Sequence, residues 1–172
     1  GGEIAGERYL PLEETAVDLL IADIEREKPS FILNNLIGPA SYAFLTAMHA
    51  LAQRNPAFVP ERCPVVSCDL TECELGEFEG DMAVGQMSAA CYFDGLGSEN
   101  EKAFRPDFIR SFGPERRISS IFAATHAATA LCLEAIHAIG DDEPRAVRQH
   151  LYSTTTQTVL GPVRIDATTN HA

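Results

Sequence analysis

Three short segments carry side chains that could hold a small molecule: Asn34-Asn35 ahead of Gly38, Cys68-Asp69 ahead of Thr71, and Tyr92-Phe93-Asp94. Each closes a run that reads as a β-strand, and in an open parallel sheet ligands sit beyond the carboxyl ends of the strands. Asn34 and Asn35 each offer a carbonyl acceptor and two amide donors, which suits a small neutral polar ligand better than an ion. Asn also ends strands for turn chemistry alone. Asp69 could accept N–H bonds from a ligand, or it could cap a helix whose first turn carries Glu72 and Glu74. Tyr92 could close an aromatic wall over a ligand or pack in the core. The candidate ligand-binding set is therefore Asn34, Asn35, Cys68, Asp69 and Tyr92.

The residues that could catalyse or bind metal form no such set. Cys63, Cys68 and Cys73 recur every five residues, unlike the C-x2-C pairs of structural zinc sites. The five cysteines therefore read as free, mostly buried thiols of a reducing compartment. His126 and His137 share one helix face but lie three turns apart, too far to bind one metal. Ser67 and Ser119 have no G-x-S-x-G setting, Cys68 has no recognisable base, and no P-loop or G-x-G-x-x-G occurs. No catalytic residue, metal or cofactor is expected.

The elements that must position the candidates alternate. Ile4-Ala5 and Tyr9-Leu10 have strand character, ended by Pro11. Val17, Leu20, Ile21 and Ile24 fall on one face of an amphipathic helix with Thr15 as its N-cap and Pro29 as its stop. The continuous run Phe31-Ile32-Leu33 suits a strand covered on both faces. A helix carrying Phe44, Ala47, Met48 and Leu51 comes next, closed by Asn55-Pro56. Val65 to Cys68 and Gln86 to Phe93 make two more strands. Strands alternating with helices demand crossovers and a parallel sheet, here of four strands. After Asp94 the pattern is helical: 101–112, then a long helix 118–139 burying Ile118, Ile121, Phe122, Cys132, Ala135, Ile136 and Ile139, then 144–152. Gly140 ends the long helix, Pro144 opens the next, and Gly161-Pro162 turns into a last strand, Val163 to Ile165.

With 172 residues the chain amounts to about one domain able to bury a core without disulfides. Its 13 Lys and Arg stand against 25 Asp and Glu, a net charge of −12 that opposes the counterion release behind nucleic-acid affinity. No direct nucleic-acid partner is expected. No membrane insertion is expected either, because Ser119, Thr125, His126 and Glu134 interrupt the longest apolar region.

The order of motifs resembles a known family. Gly2-Glu3-Ile4-Ala5-Gly6-Glu7-Arg8-Tyr9-Leu10-Pro11-Leu12 is succeeded by Asn34-Asn35-Leu36-Ile37-Gly38, by Pro64-Val65-Val66-Ser67 with Glu72 and Glu74, and by Tyr92-Phe93. Arg148-Gln149-His150-Leu151-Tyr152, Gly161 to Ile165 and Asn170-His171 continue it. This order resembles the type I periplasmic-binding-protein family, in particular its urea and short-chain-amide receptors, which include an amide-sensing regulator of an amidase operon. The resemblance implies an α/β fold, a doubly wound parallel sheet with additional C-terminal helices. Residues 1–93 would be the later part of the second lobe, and residues 94–172 would return toward the first lobe. It implies a fragment, because the first lobe's main body has no counterpart here. It also implies a non-enzymatic receptor that closes two lobes over an amide, urea or related polar solute. Two outputs are open. One is a cytoplasmic sensor partnered by an RNA-binding antiterminator, which the thiols favour. The other is a periplasmic receptor for urea, short-chain amides or amino acids that serves an ABC permease. A homodimer is compatible with both. A carboxylate at Asp69, where many relatives carry a small or hydroxyl residue, would accept N–H bonds or pair with a cation.

Overall fold

The computed structural model describes residues 2–68, 70–79 and 81–172. Asp69 therefore lies outside the described residues. The chain divides into two compact units, Gly1–Ala90 and Cys91–Ala172.

The first unit is built as helix, strand, helix, strand, strand. Helix α1 (Asp18–Glu27) precedes strand β1 (Ile32–Asn34), and helix α2 (Pro39–Arg54) carries the chain to β2 (Val65–Ser67) and then β3 (Met87–Ser88). The strands pair in parallel in the order β1-β2-β3. Gly38 precedes Pro39 at the start of α2, where a missing N–H costs nothing and φ is already helical. The amphipathic spacing of α2 buries Phe44, Leu45, Met48 and Leu51 against Val17 and Ile21 of the α1 segment and Val65 of β2. Each such side chain contributes roughly 1.5–3 kcal/mol on burial.

The sheet departs from expectation in three ways. Ile4 and Tyr9 are each 83% exposed and no strand forms there. The last strand is two residues long rather than eight, so three strands stand where four were expected. Register also places Leu33, Val66 and Met87 side by side on one face, where Leu33 and Met87 remain exposed. Continuous apolar sequence therefore did not mean cover on both faces, because α1 and α2 both pack on the other one. Thr15 is not a cap either: Val17 precedes α1 without a side-chain bond, and Glu14 accepts the Ala16 N–H instead.

The second unit holds α3 (Glu99–Phe112), α4 (Ser120–Ile139), α5 (Pro144–Ser153) and a hairpin of β4 (Thr156–Thr158) with β5 (Gly161–Val163). Ser98, Ser119 and Glu143 each accept a first-turn N–H at a helix start. Gly140 ends α4 at φ 71°, a left-handed position that glycine adopts without penalty. The hairpin was not expected; the terminal strand starts earlier than Val163 and pairs with β4.

The buried stripe of α4 is also different. Ala123, Ala127, Leu131 and Ala135 are buried at a spacing of four, whereas Ile121 is 74% exposed and Cys132 is exposed. Small residues along an i±4 row let neighbouring elements approach closely, and α4 packs on α5 and β4. Contrary to expectation, α4 is long and apolar enough by itself to span a bilayer, since Glu134 is its only Asp, Glu, Lys or Arg. The five cysteines are thiols, as expected, but only Cys63 is buried, which corrects the reading of mostly buried thiols. Burial pushes the Cys63 thiol's pKa up and leaves it protonated.

Candidate functional site

Because β1, β2 and β3 are parallel, their carboxyl ends share one edge of the sheet. The last residues of the three strands, Asn34, Ser67 and Ser88, stand in one register row. A polar row at the end of apolar strands must satisfy its own hydrogen bonds, and this one does so internally. Asn34 Nδ2 donates to Ser41 Oγ at 3.0 Å and to Ser67 Oγ at 3.1 Å. Its Oδ1 accepts the Leu36 N–H at 3.1 Å. The Ser67 carbonyl accepts from Ser88 Oγ at 3.2 Å and from the Ala89 N–H at 3.0 Å. The Cys68 N–H donates to the Asn34 carbonyl at 3.1 Å.

The candidates therefore separate by role. Asn34 is 3% exposed and both of its amide hydrogens are engaged inside the protein, so it ties β1 to β2 and to the first turn of α2. Asn35 and Cys68, one residue further along each strand, are exposed. The fold thus brings Asn34, Asn35 and Cys68 to one edge. Tyr92 belongs to the second unit, where it is 7% exposed in a core with Phe108, Ile118, Ala123 and Val159.

Sequence reasoning passed over Ser41, Ser67 and Ser88. Ser67 was weighed only as a nucleophile, yet it is 1% exposed and is the central residue of the polar row. The signal was present: two apolar strand runs, Ile32-Leu33 and Val65-Val66, each end in a small polar residue, as parallel pairing in register requires.

The loop beyond β2 is held by Glu74, whose Oε2 accepts the Thr71 N–H and the Thr71 hydroxyl, both at 2.7 Å. A carboxylate reaching back three residues to the start of a turn is half of a capping box. The turn it opens is a single 3-10 turn, Leu75–Glu77, rather than the helix the first-turn acids suggested. Charge in the sequence that follows β2 is one-sided: between Arg62 and Ala90 there is no Lys or Arg and there are six Asp and Glu. The hydroxyl pKa of Tyr42 on α2 is raised by burial and then by the charges of Glu74 and Glu77.

The second unit contains a charged cluster where the chain enters α3. Arg105 pairs with the buried carboxylates of Asp94 and Glu101, and Arg117 Nη1 lies 3.7 Å from Asp94 Oδ2. Glu101 also accepts the N–H groups of Gly95 at 3.2 Å and Gly97 at 3.0 Å. Its carboxyl pKa lies below the usual value. Burial raises it, but the Arg105 hydrogen bond, the Gly97 N–H, the Arg105 charge and the Gly95 N–H together lower it further. The cluster is a structural clamp on residues 94–98. Among the described residues no group of three or more His, Cys, Asp and Glu could hold a metal ion.

The periplasmic binding protein domain description matches residues 1–172. Among solved structures, the chain is similar to a solute-binding protein of an ABC transporter from R. palustris in complex with 4-hydroxybenzoate. The TM-score is 0.80 at 22% identity, over 99% of this chain and 46% of that one. It is also similar to a branched-chain amino acid ABC transporter periplasmic ligand-binding protein from Burkholderia xenovorans LB400, at TM-score 0.73 and 17% identity, over 93% and 41% of the two chains. A third, an R. palustris ABC-transporter solute-binding protein in complex with benzoate, matches at TM-score 0.72 and 16% identity, over 94% and 42%. The chain spans less than half the length of each of these proteins.

Proposed function

We propose a receptor function from one premise: this chain belongs to the periplasmic binding protein domain family over its whole length. Members of that family bind ligands rather than transform them, and the reading here is a solute-binding component of an ABC transporter. The observation that carries it is the carboxyl edge of the parallel sheet, where an internally satisfied row, Asn34, Ser67 and Ser88, supports exposed Asn35 and Cys68. An edge of this kind is rigid and leaves polar groups uncommitted just beyond it, as a ligand wall requires. On this reading the first unit contributes one wall of a ligand cleft, and Asp69 joins Asn35 and Cys68 in contact with solute. Asn34 acts as a positioning residue and Tyr92 as a core residue.

The transporter role is preferred to that of an amide-sensing regulator because the similar structures are transporter receptors. The same likeness favours the periplasm over the cytoplasm. The four exposed free thiols still speak for a reducing compartment, and the preference for the periplasm rests on the likeness alone. An ABC permease is then the protein partner, and no antiterminator is needed.

For the ligand, the acidic run from Cys63 to Ala90 disfavours a carboxylate against this wall and favours an ammonium group. An amino acid oriented with its ammonium end toward this wall satisfies both this chemistry and the wider family likeness. Titration calorimetry of the intact natural protein against leucine, acetamide, urea, benzoate and 4-hydroxybenzoate tests the reading. Saturable binding of an N–H-bearing solute, recovered unchanged afterwards, is expected. Binding confined to the two aromatic acids would overturn the ligand class, and consumption of any ligand would overturn the receptor role.

A further inference from the structure

The sheet of the first unit has an open edge at β1, which pairs with β2 on one side and with no strand on the other among the described residues. In a parallel ladder successive residues direct their backbone groups to opposite neighbours. The Ile32 N–H donates to the Pro64 carbonyl and the Asn34 carbonyl accepts the Cys68 N–H, so the N–H and C=O of Leu33, between them, point to the open side. The side chains of Leu33 and Phe31 are exposed as well. Free edges are commonly blunted by Lys or Pro, and β1, Ile32-Leu33-Asn34, carries neither.

Handedness says what belongs at this edge. Helices α1 and α2 pack on the same face of the sheet, and crossovers between parallel strands are right-handed in about 98% of cases. Because α2 carries the chain from β1 to β2, a strand that leads into β1 through α1 must lie on the opposite side of β1 from β2. The chain ahead of α1 is Glu3–Leu10. Arg8 Nε donates to Asp23 Oδ2 of α1 at 2.5 Å and Leu10 packs on the core, yet no backbone bond joins this segment to β1 among the described residues, and Ile4 and Tyr9 stay exposed. The segment is held beside α1 while the place next to β1 stands open.

We infer that the open edge of β1 receives a further β-strand of the natural protein, from sequence outside residues 1–172, inserted between β1 and Glu3–Leu10. It bonds to the Leu33 N–H and C=O, covers Leu33 and Phe31, and gives Glu3–Leu10 the neighbour that strand-forming residues need. The similar solved structures are long enough to supply such a strand, since this chain matches less than half of each. A second copy fits the edge less well, because pairing across a two-fold axis would rest on a strand of three residues. The inserted strand is independent of which solute the protein binds.

The test is amide hydrogen exchange of the intact natural protein, resolved to single residues, together with its crystal structure. The Leu33 N–H is expected to exchange within about tenfold of the rate of the Ile32 N–H, independent of protein concentration. The crystal should show a strand from outside residues 1–172 bonded to Leu33. A Leu33 N–H that exchanges as in an unstructured peptide would overturn the inference. So would protection lost on dilution, the mark of a second copy, or Glu3–Leu10 bonded directly to Leu33.

Discussion

Arg105→Ala is expected to destabilise the second unit by about 3–5 kcal/mol, the cost of removing one partner from a buried ion cluster. Asp94 and Glu101 have side chains only 5% and 4% exposed, so Glu101 would keep its burial penalty without its guanidinium, while Asp94 would retain Arg117 at 3.7 Å. The Gly95 and Gly97 N–H groups would still engage Glu101, which keeps the loss finite. The effect should depend on pH. The folded-state pKa of Glu101 is lowered, so the native protein holds that proton less tightly than the unfolded chain. The associated stability is present above the ordinary carboxyl value of about 4.3 and is lost as pH falls through the lowered folded value. Urea unfolding followed by circular dichroism from pH 7 down to pH 3 should show wild-type stability falling at the acid end. In Arg105→Ala that fall should be smaller, because much of the contribution is already gone. Equal losses at both ends would mean that the cluster does not hold this loop.

Asn34→Leu is expected to cost the first unit about 2–4 kcal/mol, since it strips buried hydroxyls of a donor and leaves the Leu36 N–H unmet. Leu keeps the branched shape and heavy-atom count of Asn, so no cavity opens, and its bulkier methyls add an overpacking cost to the lost hydrogen bonds. Asn35→Ala, one residue on and exposed, should change stability by less than about 0.5 kcal/mol. The contrast between neighbours can be read from one pair of urea curves. If the two variants lose similar stability, the division into an internal row and an uncommitted edge is wrong.

The parts of the fold that could be read from sequence were those fixed by local chemistry. Asn55-Pro56 closing α2, Gly140 closing α4 and Pro144 opening α5 all lie where turn and capping rules put them. The parallel arrangement came from helices alternating with apolar strands. The features that escaped the sequence depended on partners distant along the chain. Ile4 and Tyr9 have strand-forming residues, but a strand exists only when another lies beside it. The hydrophobic periodicity of α4 favoured its large residues, whereas packing against α5 and β4 selected the alanines. Asn34 and Asn35 are chemically identical, and only register distinguishes the buried one from the exposed one. Tyr92 was evenly balanced between wall and core from sequence, and its neighbours place it in a core.

If the carboxyl edge of β1, β2 and β3 forms a solute wall, bound solute must shield the backbone just beyond it. Hydrogen–deuterium exchange of the intact natural protein, with and without a saturating solute from the calorimetric panel, tests this most directly. Slowed exchange is expected in residues 35–38, 68–71 and 89–90, with the remainder of the first unit little changed. Protection confined to other segments, with those three unaffected at saturation, would contradict the proposed wall.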